Sequence, residues 1–252
     1  MALFRAVESG NRAEAAALLR HGADVNVRDR YGETPLYFAQ SAGMAKLLIA
    51  HGASVNVRDR HGSAPLASAA LFGDRAVAAL LIAHGAKVNA WDNSGRTALF
   101  LAGSQAVAAL LIAHGARVDS INGGGTALDN AARSQTPESP GIAALLIAHG
   151  ANPGAQDRFG RTPLYIAARA GRLAMAKLLI AHGAAVDTRD MRGDTPLIAA
   201  SMYGHAAIVK LLIAHGADIN ARDRDGYTAL GRALAARHAE IAATLRAHAA
   251  QS

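Results

Sequence analysis

The chain has 252 residues, of which 51% are hydrophobic and 4% aromatic, and its formal net charge is +7. Apolar area is ample, which excludes disorder except at the ends, and the few aromatics mean that packing rests on close contacts between small residues. The sequence holds no cysteine, which excludes disulfides and thiolate metal sites, and no apolar run approaches the roughly 18 residues of a membrane span.

In chain order, residues 1–8 read as an amphipathic helix, not as a basic-then-apolar leader, so a cytoplasmic chain is expected. A seven-residue segment, Ala17–Ala23, comes next. It is a near-copy of Leu-Leu-Ile-Ala-His-Gly-Ala, which then recurs six times unchanged, at Leu47–Ala53, Leu80–Ala86, Leu110–Ala116, Leu145–Ala151, Leu178–Ala184 and Leu211–Ala217. A degraded copy, Thr244–Ala250, closes the series, and successive histidines lie 30, 33, 30, 35, 33, 33 and 33 residues apart. A period in this range marks a solenoid, whose repeats bury their apolar faces only by stacking on neighbours.

Within a repeat the elements follow from local chemistry. Tyr31-Gly32-Glu33-Thr34-Pro35-Leu36 recurs in kind at Gly160–Leu164 and Gly193–Leu197. Thr is a good helix N-cap, and Pro suits the first helical position because its missing N–H costs nothing there. The preceding Asp and Gly are turn formers. A first helix is therefore predicted from Pro35. The second helix carries the heptapeptide and stops at His-Gly, with Gly in the left-handed C′ position. A short extended finger follows, such as residues 55–59.

These motifs, Asp-x-x-Gly-x-Thr-Pro-Leu, the heptapeptide and the Val/Ile-Asn/Asp after it, resemble the ankyrin repeat along essentially the whole chain. The resemblance implies an all-α solenoid of stacked helix-turn-helix units with hairpin fingers, binding partner proteins on the concave face of fingers and first helices. The chain divides into eight repeats within a single domain: 1–28, 29–58, 59–91, 92–121, 122–156, 157–189, 190–222 and 223–252. The first and last read as caps with one face in water, and the chain reads as complete. Repeats 29–58 and 92–121 are three residues short. The loss is expected between their helices, with tight turns at Ser41-Ala42-Gly43 and Gly103-Ser104. Repeat 122–156 is expected to be the least regular, with Gly123-Gly124-Gly125, Pro153, and a long inter-helix turn from Ser134 to Gly141 holding Pro137 and Pro140. That turn reads as a tolerated insertion, or else as a recognition loop or a bend in the stack.

Eight of the 11 histidines occupy one register at the end of the second helix. Neighbouring helices pack roughly 8–10 Å apart, too far for two such histidines to share a metal. Backbone bonding at the helix C-terminus is the better reading. No zinc-protease, Walker or dinucleotide motif occurs, the glycine cluster lacks a following Lys, and Asp223-Arg-Asp225-Gly226 lacks the later ligands of a calcium loop. No enzyme, no cofactor and no metal are expected. Where the family often has His after Thr-Pro-Leu, this chain has Tyr37, Ala67, Phe100, Asp129, Tyr165, Ile198 and Gly231. Loss of the cross-repeat hydrogen bonds of that His is therefore expected.

Function is sought at the positions that vary between repeats. By resemblance these are the finger residues Tyr31, His61, Trp91, Arg158, Phe159, Met191 and Arg192, and the first-helix ends Phe72, Arg169, Met202 and Tyr203. Arg and aromatic side chains are the usual anchors of protein interfaces. The expected function is a protein-binding scaffold, adaptor or inhibitor, monomeric, whose partner presents acidic groups to the arginines. The alternatives are a polyanion or nucleic-acid binder using surface arginines, ranked behind protein because acidic residues are interleaved with the Arg throughout, and a structural or engineered array without a natural ligand.

Overall fold

The computed structural model describes residues 2–122 and 124–249. Gly123 of the glycine cluster and the last residue of the degraded heptapeptide lie outside the described residues. Among those described, fifteen α-helices and one 3-10 turn follow one another. The chain forms two compact units, Met1–Asn122 and Gly123–Ser252.

The N-terminal unit holds α1 (Ala2–Glu8), α2 (Arg12–Arg20), the 3-10 turn Pro35–Phe38, α3 (Ala42–Ala50), α4 (Pro65–Leu71), α5 (Arg75–Ala83), α6 (Ala98–Leu101) and α7 (Gln105–Ala113). The C-terminal unit holds α8 (Ala127–Arg133), α9 (Ser139–Ala148), α10 (Pro163–Arg169), α11 (Leu173–Ala181), α12 (Pro196–Met202), α13 (Ala206–Ala214), α14 (Ala229–Ala235) and α15 (Ala239–Ala249). Within each unit the elements pair in order, first helices packing on first helices and second on second. Extended fingers link one pair to the next.

Within each unit the core is a column of leucines. The second leucine of every intact heptapeptide, at Leu48, Leu81, Leu111, Leu146, Leu179 and Leu212, has 0% exposure, and Leu245 of the degraded copy has 1%. Three residues earlier a small residue such as Ala45, Ala78, Ala108 or Ala143 is equally buried, which lets neighbouring second helices approach closely. Each of these helices ends at its His, and the next residue is a glycine in the left-handed region, such as Gly52 at φ 87°, where a Cβ would be strained. In the N-terminal unit the carbonyl of that glycine is then satisfied from the preceding repeat. Asn26 Nδ2 donates to Gly52 O at 3.0 Å while its Oδ1 accepts from Ser54 N at 2.8 Å. Asn56 and Asn89 repeat the bridge to Gly85 and Gly115.

Finger tips are built by aspartate. Asp157 Oδ1 accepts from the amides of Phe159 at 2.8 Å and Arg161 at 3.0 Å. Asp29, Asp92, Asp190 and Asp223 cap their turns in the same way. One backbone bond ties each finger to its neighbour within a unit: Arg60 N to Tyr31 O and Asn93 N to His61 O in the first, Met191 N to Phe159 O and Arg224 N to Arg192 O in the second.

Several expectations are corrected. The three residues missing from the short repeats come out of the first helix, not the turn. The connections 39–41 and 102–104 are as long as 72–74, whereas Pro35–Phe38 and Ala98–Leu101 have 4 residues against 7 in α4. Three residues are almost one helical turn, so the second helix keeps its place in the column. Gly43 therefore lies inside α3, and Ser41 caps that helix by accepting from Met44 N. Gly103 does sit in its turn, but its role is close approach: a Cβ there would strike the Leu71 carbonyl. Thr162 and Thr195 cap their helices, but Thr34 makes no side-chain cap bond. The long turn of the irregular repeat is only 134–138, because α9 starts at Ser139 and takes Pro140 into its first turn.

The cross-repeat bonds expected to be lost are in part replaced. Tyr37 Oη donates to Val57 O at 2.8 Å, in the next finger. Ring nitrogens of His205 and His238 reach Arg169 O at 3.1 Å and Met202 O at 3.2 Å, one repeat back.

If the leucine column carries the stack, Leu146→Ala lowers unfolding free energy by about 2–5 kcal/mol. Ile147→Ala, beside it and only half-buried, is expected to cost clearly less. Chemical denaturation of the two variants checks the contrast.

Candidate interaction site

The aspartate-capped turns fix which side chains leave the finger tips. Asp157 aims Arg158 and Phe159 outward, and two guanidinium groups pack on the Phe159 ring, with Arg158 Cζ 4.7 Å and Arg161 Cζ 4.5 Å from its centroid. Arg161 is held from the other side by Asp157, at 2.6 Å between Nη2 and Oδ2. Burial opposes ionisation of Asp157, but Arg161 and the amides of Arg161 and Phe159 outweigh it and hold the carboxyl below its usual range.

The ends of the first helices supply the rest. Arg133 ends α8, Arg169 ends α10 and Tyr203 caps α12. Arg169 Cζ lies 5.1 Å from the Tyr203 ring centroid, within cation–π range. Arg133, Arg161, Tyr165, Arg169 and Tyr203 surround a cleft of about 200 Å³. The Tyr165 phenol is buried near Asp190 and Asp194, which together push its pKa up and keep it neutral. Among the described residues no carboxylate lies within ion-pair distance of Arg133 or Arg169. This face thus offers two cations without an anion and aromatic rings beside them.

The residues expected to bind fall into separate groups. Arg158, Phe159, Arg169, Met191, Arg192 and Tyr203 are exposed in the C-terminal unit, with Met202 half-buried. In the N-terminal unit His61 and Phe72 line one cleft, while Tyr31 stacks under Arg30, whose Cζ is 4.7 Å from its ring. Trp91, 61% exposed, lines a different hollow with Arg117, Asp119 and Ile121. Arg133, Arg161 and Tyr165 are residues that the sequence did not mark for binding. Arg133 and Arg169 stand in one register, each the seventh residue after its capping Thr. The calcium-like Asp223 and Asp225 both hold Arg232, at 2.6 Å each.

Two aspartates in the C-terminal unit are buried without a cation on them. Asp129 lies in the place of the family's His, and its Oδ2 accepts from Thr126 N at 2.7 Å and Thr126 Oγ1 at 3.0 Å, closing a capping box. Gly125 must be glycine here, because an added Cβ would strike that carboxylate. Burial pushes Asp129 up to about 6 against the Thr126 bonds. Burial, with Asp190 and Asp223 nearby, does the same to Asp194.

The family described as Ankyrin repeats (3 copies) matches the chain over residues 3–92, 138–223 and 186–252. The chain belongs to the ankyrin-repeat family, and its fold is an ankyrin-repeat solenoid. Ankyrin repeats generally mediate protein–protein interaction and are typically non-enzymatic. No curated protein matches the chain significantly. No helix among the described residues is long and apolar enough to cross a membrane.

The buried aspartates give a pH dependence with a definite sign. An unfolded Asp titrates near 3.8 and these two near 6. Between those values the folded chain holds protons that the unfolded chain has released. Stability therefore rises as pH falls from about 6 to about 4 and is flat above that window. Asp129→Asn is expected to remove roughly 1–3 kcal/mol of this dependence, as read by denaturant unfolding at pH 7.5 and pH 5.

Proposed function

We propose that the chain is a non-enzymatic protein-binding module, a scaffold, adaptor or inhibitor, which takes an acidic segment of its partner on the face built by fingers and first helices of the C-terminal unit. The observation that carries this reading is the pair Arg133 and Arg169, without an ion-pair partner in the cleft they share with Tyr165 and Tyr203. Guanidinium groups bind carboxylates through two parallel bonds, and such charge-assisted bonds contribute about 1.5–3 kcal/mol each. The rings add desolvated contact area around them. We read the chain as a cytoplasmic monomer, whose preformed surface needs no chemistry of its own.

Unpaired arginines also suit phosphates, which gives a nucleic-acid reading its one support. Binding of that kind weakens steeply with salt. Immobilised protein is expected to retain one stoichiometric protein from a source-cell lysate after nuclease treatment and at raised salt. Arg133→Gln with Arg169→Gln is expected to cut that retention about tenfold or more while the thermal unfolding midpoint stays in place. Retention that vanishes with nuclease, or that ignores both substitutions, overturns the proposal.

A further inference from the structure

The two short repeats flank a full-length one. The 3-10 turn Pro35–Phe38 and α6 each stop a turn early, whereas α4 between them runs on to Leu71. The end of α4 therefore stands proud of both neighbours. Leu71 is 53% exposed and Phe72 is 80% exposed. Beside them opens a cleft of about 740 Å³, into which Phe38, Leu71, Phe72 and Leu101 present apolar surface. Its floor is fixed, because the Tyr37 hydroxyl lies on the backbone of the next finger, its one proton within reach of both Val57 O and Ser63 O. A rigid apolar hollow rimmed by polar groups marks an interaction site.

Charge states what the occupant carries. Glu33 and Asp59 line the finger end of this cleft, with Asp29 behind them. Among the described residues no Lys or Arg lies within ion-pair distance of any of the three. Several nearby arginines are engaged elsewhere: Arg28 on Arg58 O, Arg30 on the Tyr31 ring, Arg58 on Gly62 O and Trp91 O, and Arg96, which also lines the cleft, on Asp92 at 2.7 Å. Burial, Asp29 and Asp59 crowd the Glu33 carboxyl and push its pKa up, with His61 the neighbour that opposes them. An incoming cation relieves this crowding.

We infer that the cleft between the Pro35–Phe38 turn, α4 and α6 docks a polypeptide segment of a partner that carries a bulky apolar side chain close to a lysine or arginine. The apolar side chain lies against Leu71, Phe72 and Phe38, and the cation reaches Glu33 and Asp59. The inference stands apart from the arginine face, whose residues lie in the other unit and whose preference is for the opposite charge.

The test selects short random peptides displayed against the full chain. The selected sequences are expected to pair Leu, Ile, Phe or Trp with a Lys or Arg within a few positions. Phe72→Ala is expected to weaken a selected peptide about tenfold or more; since Phe72 is exposed, the thermal midpoint should not move. Glu33→Gln should weaken the same peptide several-fold yet leave unchanged a version whose Lys is replaced by Ala. Arg133→Gln should change neither. Selection of acidic or wholly polar peptides overturns the inference, as does binding indifferent to Phe72→Ala. A concentration-dependent dimer that Phe72→Ala abolishes overturns it too, since the occupant is then a second copy of the chain.

Discussion

The rest of the structure depends on the register of the second helices. A leucine with no exposure recurs in α3, α5, α7, α9, α11 and α13, with an alanine one turn before it in all but α13, where Val209 stands, and within each unit neighbouring second helices pack on one another. Sliding α3, α5 or α7 along its axis would uncover buried leucine and break the Asn bridge to the carbonyl of the glycine that follows it. These helices accordingly keep 9 residues in α3, α5, α7, α11 and α13. Apart from α9 with 10 residues and α15 with 11, variation in length falls in the first helix and, in the irregular repeat, in the connection after it.

That confinement shapes the functional surface. A first helix one turn shorter leaves the stack intact but withdraws a wall from the face beside the fingers, and the exposed Leu71 and Phe72 are the result. The finger turns obey a similar division. Their aspartates face inward and hold backbone amides, so the residues next to them are free to differ: Tyr31, His61, Phe159 and Arg192 occupy one position in four fingers. Identity at the core and freedom at the rim come from the same hydrogen-bonding scheme, and the two units use the freedom differently, one lining a hollow with carboxylates and apolar groups, the other gathering unpaired arginines and rings.

Much of this is legible in the amino-acid sequence. The heptapeptide marks the second helix, its buried stripe and its end, because an apolar stripe followed by His-Gly has few other solutions. Thr-Pro marks the start of the first helix. The placement of a deletion was not legible: three residues removed from a turn or from a helix end leave the same spacing of histidines, and only the stacking requirement decides between them. The Tyr37 bond was hidden for a related reason, since its acceptors are carbonyls 20 and 26 residues away. The arginine cluster was half visible. Arg169 stood out as a large residue at a variable position, whereas Arg133 and Tyr165 belong to the site only through the packing of α8 against α10. The pairing of Arg161 with Asp157, which decides which guanidinium groups remain free, follows from turn geometry at atomic detail.

Amide hydrogen exchange resolved by residue tests the primacy of the second-helix register most directly. Slow exchange is expected along α3, α5 and α7 around Leu48, Leu81 and Leu111, with markedly faster exchange in the Pro35–Phe38 turn and α6, which lean on the stack without holding it. Equal protection of first and second helices in the short repeats, or faster exchange in the second helices, contradicts the claim that the leucine column holds the fold.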